Sequence, residues 1–277
     1  EVRCASPSFT GPAGQRNAVG SLGGLAAFAQ IYQPSLILAD IDGPLQLKFD
    51  DGARVDLAWS RLRLSLRGTP QTLDRFSIQG SDAVLTTSAA DQPLFEMRAG
   101  EFEAHVRQSL DRQDSAYDLA VSLRRAVTPA LDAFLGLNDP ADLDFAGAAS
   151  HLAFAVKGNL AERLEVWRAA GGRLEPASLD IRKGQSRLRL NGGLGLDAAH
   201  RLEGKLTLEG DGLQPLFKRF GLNLDMVAAG NLLDGLLGGK PKTDGEKRAG
   251  LRLPLTLDRG RVAVGPLRTP IALPPLY

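Results

Sequence analysis

The side chains that metal binding or nucleophilic catalysis would draw on first are three histidines, His105, His151 and His200, and a single cysteine, Cys4. A zinc site needs three or four His, Cys or carboxylate ligands converging on one point, usually with two of them a few residues apart. None of these histidines has another His or a Cys at such a spacing. His105 alternates out of phase with Phe102, Ala104 and Val106, so it reads as solvent-facing, and His200 falls in a hairpin turn. Cys4 has no neighbouring histidine to generate a thiolate and reads as a structural thiol, buried or once bridged. Gly192-Gly193-Leu194-Gly195 and Gly238-Gly239-Lys240 resemble phosphate-cradling loops. The first lacks a strand-to-helix context and the second lacks the G-x-x-x-x-G-K-[ST] spacing, so both read as turn glycines. Asp40 and Asp42 before Gly43 look like a truncated calcium loop without its remaining oxygen ligands. There is no G-x-S-x-G nucleophile elbow. The expectation is therefore a non-enzyme, with no catalytic residue, no metal and no cofactor.

The composition narrows the partners. The 277 residues are 43% hydrophobic and 23% charged, with a formal net charge of +1. That length is ample for a core. Interspersed charge of both signs gives no cationic face, and an aromatic content of only 6% removes the stacking platforms of single-strand binders, so nucleic acid is not expected. The most apolar stretch, residues 22–31, is interrupted by Gly23, Gly24 and Gln30 and is too short to span a bilayer. The chain opens at Glu1-Val2-Arg3-Cys4 with no apolar leader, which suggests a removed or trimmed upstream segment.

The elements that must position any site are written as period-two alternation. Leu45, Leu47 and Phe49 run into Asp50-Asp51-Gly52, a hairpin turn in which glycine accepts positive φ, and Val55, Leu57 and Trp59 return. Leu62, Leu64 and Leu66 alternate with Arg61, Arg63 and Arg67, which places leucines on one face and arginines on the other only if the segment is a strand. The same pattern recurs in Phe76 and Ile78; Phe102, Ala104 and Val106; Leu119, Val121 and Leu123; Leu152, Phe154 and Val156; and Leu179 and Ile181. It recurs again through 188–196, turning at 197–200 into Leu202, Leu206 and Leu208, and in 251–257, turning at 258–260 into Val262 and Val264. Short strands at hairpin spacing predict an antiparallel meander.

About four short helices are expected on this sheet. Asn159 with Glu162 forms a capping box for a helix through Leu164 and Trp167 to Gly171-Gly172. Residues 124–135 form a second, shortened by Pro129, and 213–220 and 225–237 supply two more. Residues 18–30 are ambiguous because Gly20, Gly23 and Gly24 weaken a helix. Residues 238–250, rich in Gly, Lys and Asp, read as a mobile loop. A weak boundary near 138–141 divides the chain into β-rich halves, 1–137 and 138–277, expected to share one continuous sheet. The predicted fold class is mainly β, an extended or curved antiparallel meander sheet with about four short helices packed on it.

Alternating strands have one wet face and one face that must be covered by helices, a second sheet or a ligand. Used as a ligand groove, the apolar face would be lined by Leu188, Leu190, Leu194, Leu196, Leu206 and Leu208, with Leu253, Leu255, Leu257, Val262 and Val264. The leading expectation is binding or transfer of a lipid or other apolar molecule. The alternative is a structural or adaptor domain that docks another envelope protein through an apolar patch or sheet edge.

The stretch from Gly250 to Leu267, Leu-Arg-Leu-Pro-Leu-Thr-Leu-Asp-Arg-Gly-Arg-Val-Ala-Val-Gly-Pro within it, and the closing Pro274-Pro275-Leu276-Tyr277 resemble the end of an uncharacterised alphaproteobacterial envelope protein family, a domain of unknown function. Val2-Arg3-Cys4, the Tyr32-x-Pro34 pair, Gly43-Pro44-Leu45 and Trp59 are similar to its N-terminal part. Residues 187–210 also resemble the strand–Gly–strand units of AsmA-like envelope proteins, implicated in lipid traffic. The resemblance implies a periplasmic domain tethered to the inner membrane by an anchor upstream of Glu1, and an upstream disulfide partner for Cys4. It carries no functional residues over.

Overall fold

The structure, a computed structural model, describes residues 1–13, 16–69, 72–89, 92–112, 114–152, 158–212, 251–265 and 267–277. Among the described residues the alternating segments, apart from the one begun by Leu152, become strands of one antiparallel, sixteen-stranded sheet. In chain order these are β1 (Val2–Ala5), β2 (Ser8–Ala13), β3 (Arg16–Gln30), β4 (Gln33–Phe49), β5 (Arg54–Ala58), β6 (Arg61–Gly68), β7 (Leu73–Ala89), β8 (Gln92–Gln108), β9 (Tyr117–Ala126), β10 (Ala141–Ala149), β11 (Leu174–Lys183), β12 (Ser186–Leu196), β13 (Leu202–Asp211), β14 (Leu251–Asp258), β15 (Arg261–Val264) and β16 (Leu267–Ala272). From β6 onward each strand pairs with the next in sequence, so the sheet is a meander, and the pairing of β9 with β10 carries it across residues 137 and 138. β5 and β6 lie end to end between β4 and β7. The break between them is tied down by the Trp59 indole, whose Nε1 donates to the Ile41 carbonyl at 2.8 Å.

The strands change in length along the chain. β4, β7 and β8 have 17 residues each, whereas β12 has 11 and β13 has 10. Seventeen residues at about 3.3 Å per residue reach roughly 56 Å, several times a common strand. Residues 18–30, ambiguous in sequence, lie in β3. Tertiary pairing overrides weak local propensity there, and the Phe9 ring of β2 lies over Gly20, where a Cβ would come within 2.2 Å of it. Gly192 and Gly193, expected at a turn, sit inside β12. A Cβ on Gly192 (φ +157°) would be 2.2 Å from the Lys205 carbonyl of β13, so glycine there permits a close backbone approach.

Of the about four helices expected, the described residues hold two, the ten-residue α2 (Leu160–Ala169) and a seven-residue α1 (Pro129–Leu135). The helix expected over 124–135 starts only at Pro129, because residues up to Ala126 pair in β9 and proline suits a first helical position, where no N–H is needed. The segments 213–220, 225–237 and 238–250, and the strand expected at Phe154 and Val156, lie outside the described residues. Leu152 itself is not in a strand. α2 has the capping box expected of it: the Asn159 side chain accepts from the Glu162 amide and the Glu162 carboxylate accepts from the Asn159 amide, both at 3.0 Å. Its end is closed by Gly171 at φ +73°. α1 is pinned by a buried ion pair, Lys183 Nζ to Asp132 Oδ1 at 2.7 Å, in which the lysine also donates to the Asp139 carbonyl. No helix among the described residues is long and apolar enough to cross a membrane.

Candidate functional site

The strand registers join the alternating residues into rows that run across the sheet. One row passes through directly paired residues from β3 to β14: Ala27, Ala39, Leu64, Ile78, Ala104, Val121, Phe145, Leu179, Leu190, Leu208 and Leu253. No polar residue interrupts it. Ten inter-strand steps of about 4.8 Å make it roughly 48 Å long. A parallel row on the same face runs from Leu66 through Phe76, Val106, Leu119, Gly147, Ala177, Gly192, Leu206 and Leu255 to Val264.

The opposite face is charged along an equally continuous row: Asp40, Arg63, Gln79, Glu103, Ser122, Asp144, Asp180, Arg189, Glu209 and Arg252. Its groups pair across strands. Arg63 reaches Asp40 at 3.0 Å, Arg124 and Arg182 hold Asp144 at 2.7 and 3.2 Å, and Arg187 and Arg189 clamp Asp180. The arginine hydrogen bonds keep the carboxyls of Asp144 and Asp180 below the ordinary aspartate range, Arg124 contributing most to the first and Arg187 to the second. His105 lies on this face, half-buried, with Nε2 3.5 Å from Glu103.

The register brings all eleven of the leucines and valines predicted as lining onto the apolar face, but they divide by burial. Leu196, Leu206, Leu208, Leu253, Leu257, Val262 and Val264 are buried, with Leu253 at 0% exposure, whereas Leu188, Leu190, Leu194 and Leu255 are half-exposed. The apolar face is therefore closed around β13 to β15 and open before them. Leu64, Leu66, Phe76, Ile78, Phe102, Val106, Val121, Leu123, Leu143 and Phe145 are all half-exposed: neighbours in the same sheet cover their flanks and leave their tips uncovered. Apart from Leu143 and Phe145, the alternation of these residues is visible in the sequence, yet none of them is in the predicted lining, because covered and uncovered leucines have the same pattern.

One part of the open face is roofed by α2. A cavity of about 330 Å³ lies between the helix and the sheet, lined by Leu119, Ala149, Leu174, Leu164 and Trp167, with His151 and Arg163 among its polar groups. The Trp167 Nε1 donates to the Ser150 carbonyl at 2.7 Å and fixes the helix over the sheet. α2 contributes no buried residue, and its Leu160 and Val166 are exposed, so the roof is loosely packed. Its outer side is held by Glu165, which accepts from Arg168 and from the Tyr277 hydroxyl at 3.0 Å, while the Tyr277 and His200 rings stack at 4.4 Å. Arg168 first, then Tyr277 and His200, bring the Glu165 carboxyl down to about 2.

Cys4 is exposed on β1, so of the two structural expectations for it, buried or once bridged, the first is corrected: a strand at the sheet's end gives it nothing to pack under. Asp42 and Asp40 lie within β4, Asp40 paired with Arg63. Among the described residues no group of three or more His, Cys, Asp or Glu side chains is placed to hold a metal ion.

An open antiparallel meander with one charged and one apolar face defines the class of protein. The chain belongs to the bacterial family described as "Uncharacterized protein conserved in bacteria (DUF2125)", which matches residues 1–272. No curated protein and no solved structure matches it.

Proposed function

We propose that this protein binds a lipid or other apolar molecule along the open apolar face of its sheet and transfers it within the bacterial cell envelope, in the periplasm. The observation that supports this most is the unbroken apolar row from Ala27 to Leu253, whose large members from Leu64 to Leu190 remain half-exposed. A monomeric fold seldom leaves so extended an apolar surface without an occupant. An acyl chain fits it because the face offers contact and no hydrogen-bonding groups to satisfy. The ion-paired face opposite keeps the same strands compatible with water. The cavity under α2, near the lower end of the usual ligand-pocket range, gives such a chain a covered segment.

Val121 is central to the row and half-exposed. Val121→Asp places a charge in the path of the ligand while its carboxylate still reaches water. Native mass spectrometry of gently purified protein is expected to show co-purifying lipid in the wild type and none in this variant, with an unchanged β-sheet circular dichroism spectrum. Equal lipid in both, or a wild type that carries none and instead retains a protein partner through this face, overturns the reading; the second outcome supports an adaptor.

A further inference from the structure

We propose that one rim of the sheet, formed by the β3–β4 and β8–β9 connections, docks onto a phospholipid bilayer. The two connections lie at the same end of the strands, because Leu36 pairs with Arg67, Arg67 with Arg75, Arg75 with Arg107, and Arg107 with Asp118. Beyond that line the chain presents Ile31, Tyr32 and Leu110 at 91%, 91% and 93% exposure. Three large apolar side chains in full solvent exposure at hairpin tips contribute nothing to the fold. Tyrosine beside an aliphatic residue is the pairing favoured at a membrane interface, where the ring is buried and its hydroxyl stays wet.

The arginines behind the tips supply the second half of the surface. Arg67, Arg75 and Arg107 are direct neighbours across three strands, and like charges placed opposite each other destabilise a sheet. Arg67 has Asp74 at 3.9 Å and Arg107 has Asp118 at 2.9 Å, in exposed pairs that contribute little. Arg75 has no carboxylate partner among the described residues. Arg67, Arg75 and Arg107 line an open concavity of about 560 Å³ together with Asp74, Asp111, Asp118, Gln108 and Leu110, and within it Arg75 is the guanidinium left to take a phosphate headgroup. Tyr32 is four residues beyond the arginine line and Leu110 three, in a turn and a bend outside the strands, so the tips stand at most about 10–13 Å ahead of the arginines, the extended limit at roughly 3.3 Å per residue. Tips buried 5–10 Å at the acyl boundary would thus leave the arginines at headgroup level, where they bind phosphate. Leu66, Phe76 and Val106 adjoin these arginines on the opposite face, so the apolar face reaches the docked rim.

Docking at this rim does not require the apolar face to carry a ligand, and the test keeps the two apart. In flotation with vesicles of phosphatidylethanolamine and phosphatidylglycerol, the wild type and Val121→Asp are expected to float. Ile31→Asp, Tyr32→Asp and Leu110→Asp should each lose roughly tenfold in vesicle affinity, and the triple variant should stay with the free protein at an unchanged circular dichroism spectrum. Arg75→Glu should weaken binding to the same vesicles and leave thermal stability at least equal to wild type. A wild type that fails to float, a triple variant that floats like wild type, or binding of inorganic phosphate alone overturns the proposal.

Discussion

The part of the sheet that holds the longest strands, β4 to β9, and the short-stranded part, β13 to β15, are built from the same alternation and end in different states. In the first, the leucines and phenylalanines from Leu64 to Leu123 on the apolar face stay partly exposed, and the residues buried in those strands include Leu62, Tyr117 and the alanines Ala39, Ala83 and Ala99. In the second, Leu206, Leu208, Leu253, Leu257, Val262 and Val264 are buried and Leu253 has no exposed surface. The difference shows that an amphipathic strand pattern specifies a face and leaves open whether that face becomes core or surface. The short strands carry the stability of a packed interior. The long ones rely on ladder hydrogen bonds, flank-to-flank contact and cross-strand ion pairs, and so keep an apolar face available.

A charge placed in each part should give the largest contrast. Leu208→Asp puts a carboxylate among buried leucines and is expected to cost several kcal/mol, enough to lose the cooperative transition in a urea melt. Val121→Asp, in the same cross-strand row, should melt within about 1 kcal/mol of wild type because its charge keeps water. Equal destabilisation by both would erase the distinction between the two parts. A truncation pair measures the same contrast more finely. Leu253→Ala empties a closed site and should cost about 2–5 kcal/mol, whereas Leu64→Ala removes a half-exposed side chain and should cost about 1 kcal/mol, both read from denaturant midpoints at constant slope.

The smallest effect concerns the outer side of α2. Glu165 ionises at about 2 in the folded protein against an ordinary value of 4.5. A carboxyl lowered on folding stabilises the native contact above its unfolded value and loses that contribution as pH falls from about 4.5 toward about 2. The Tyr277–His200 stack should loosen at the lower end of that window, as pH nears about 2 and the folded-state carboxyl takes up its proton, visible in the ring resonances of both residues. Glu165→Gln should show a loosened stack already at neutral pH and no further change in the window. Persistence of the wild-type transition in that variant would assign it to another group.

The capping box of Asn159 and Glu162, the hairpin at 50–52 and the leucine–arginine division of 61–67 were legible because each depends on a few neighbouring residues. β10 was not, since Ala141–Ala149 has only Leu143 and Phe145 to mark its face and its strand character comes from pairing with β9 and β11. β3 was obscured by glycines that are accommodated only once Phe9 lies over Gly20. The docking rim was equally invisible: Ile31, Tyr32 and Leu110 are far apart in the chain and meet at one end of the sheet only through registers set by the strands between them. The sequence by itself determined that this protein is an antiparallel meander with one apolar and one charged face, because side-chain direction in a strand follows local order. Tertiary structure alone decided which stretch of the apolar face is closed, since burial depends on what lies above a side chain, and period-two alternation contains no information about that.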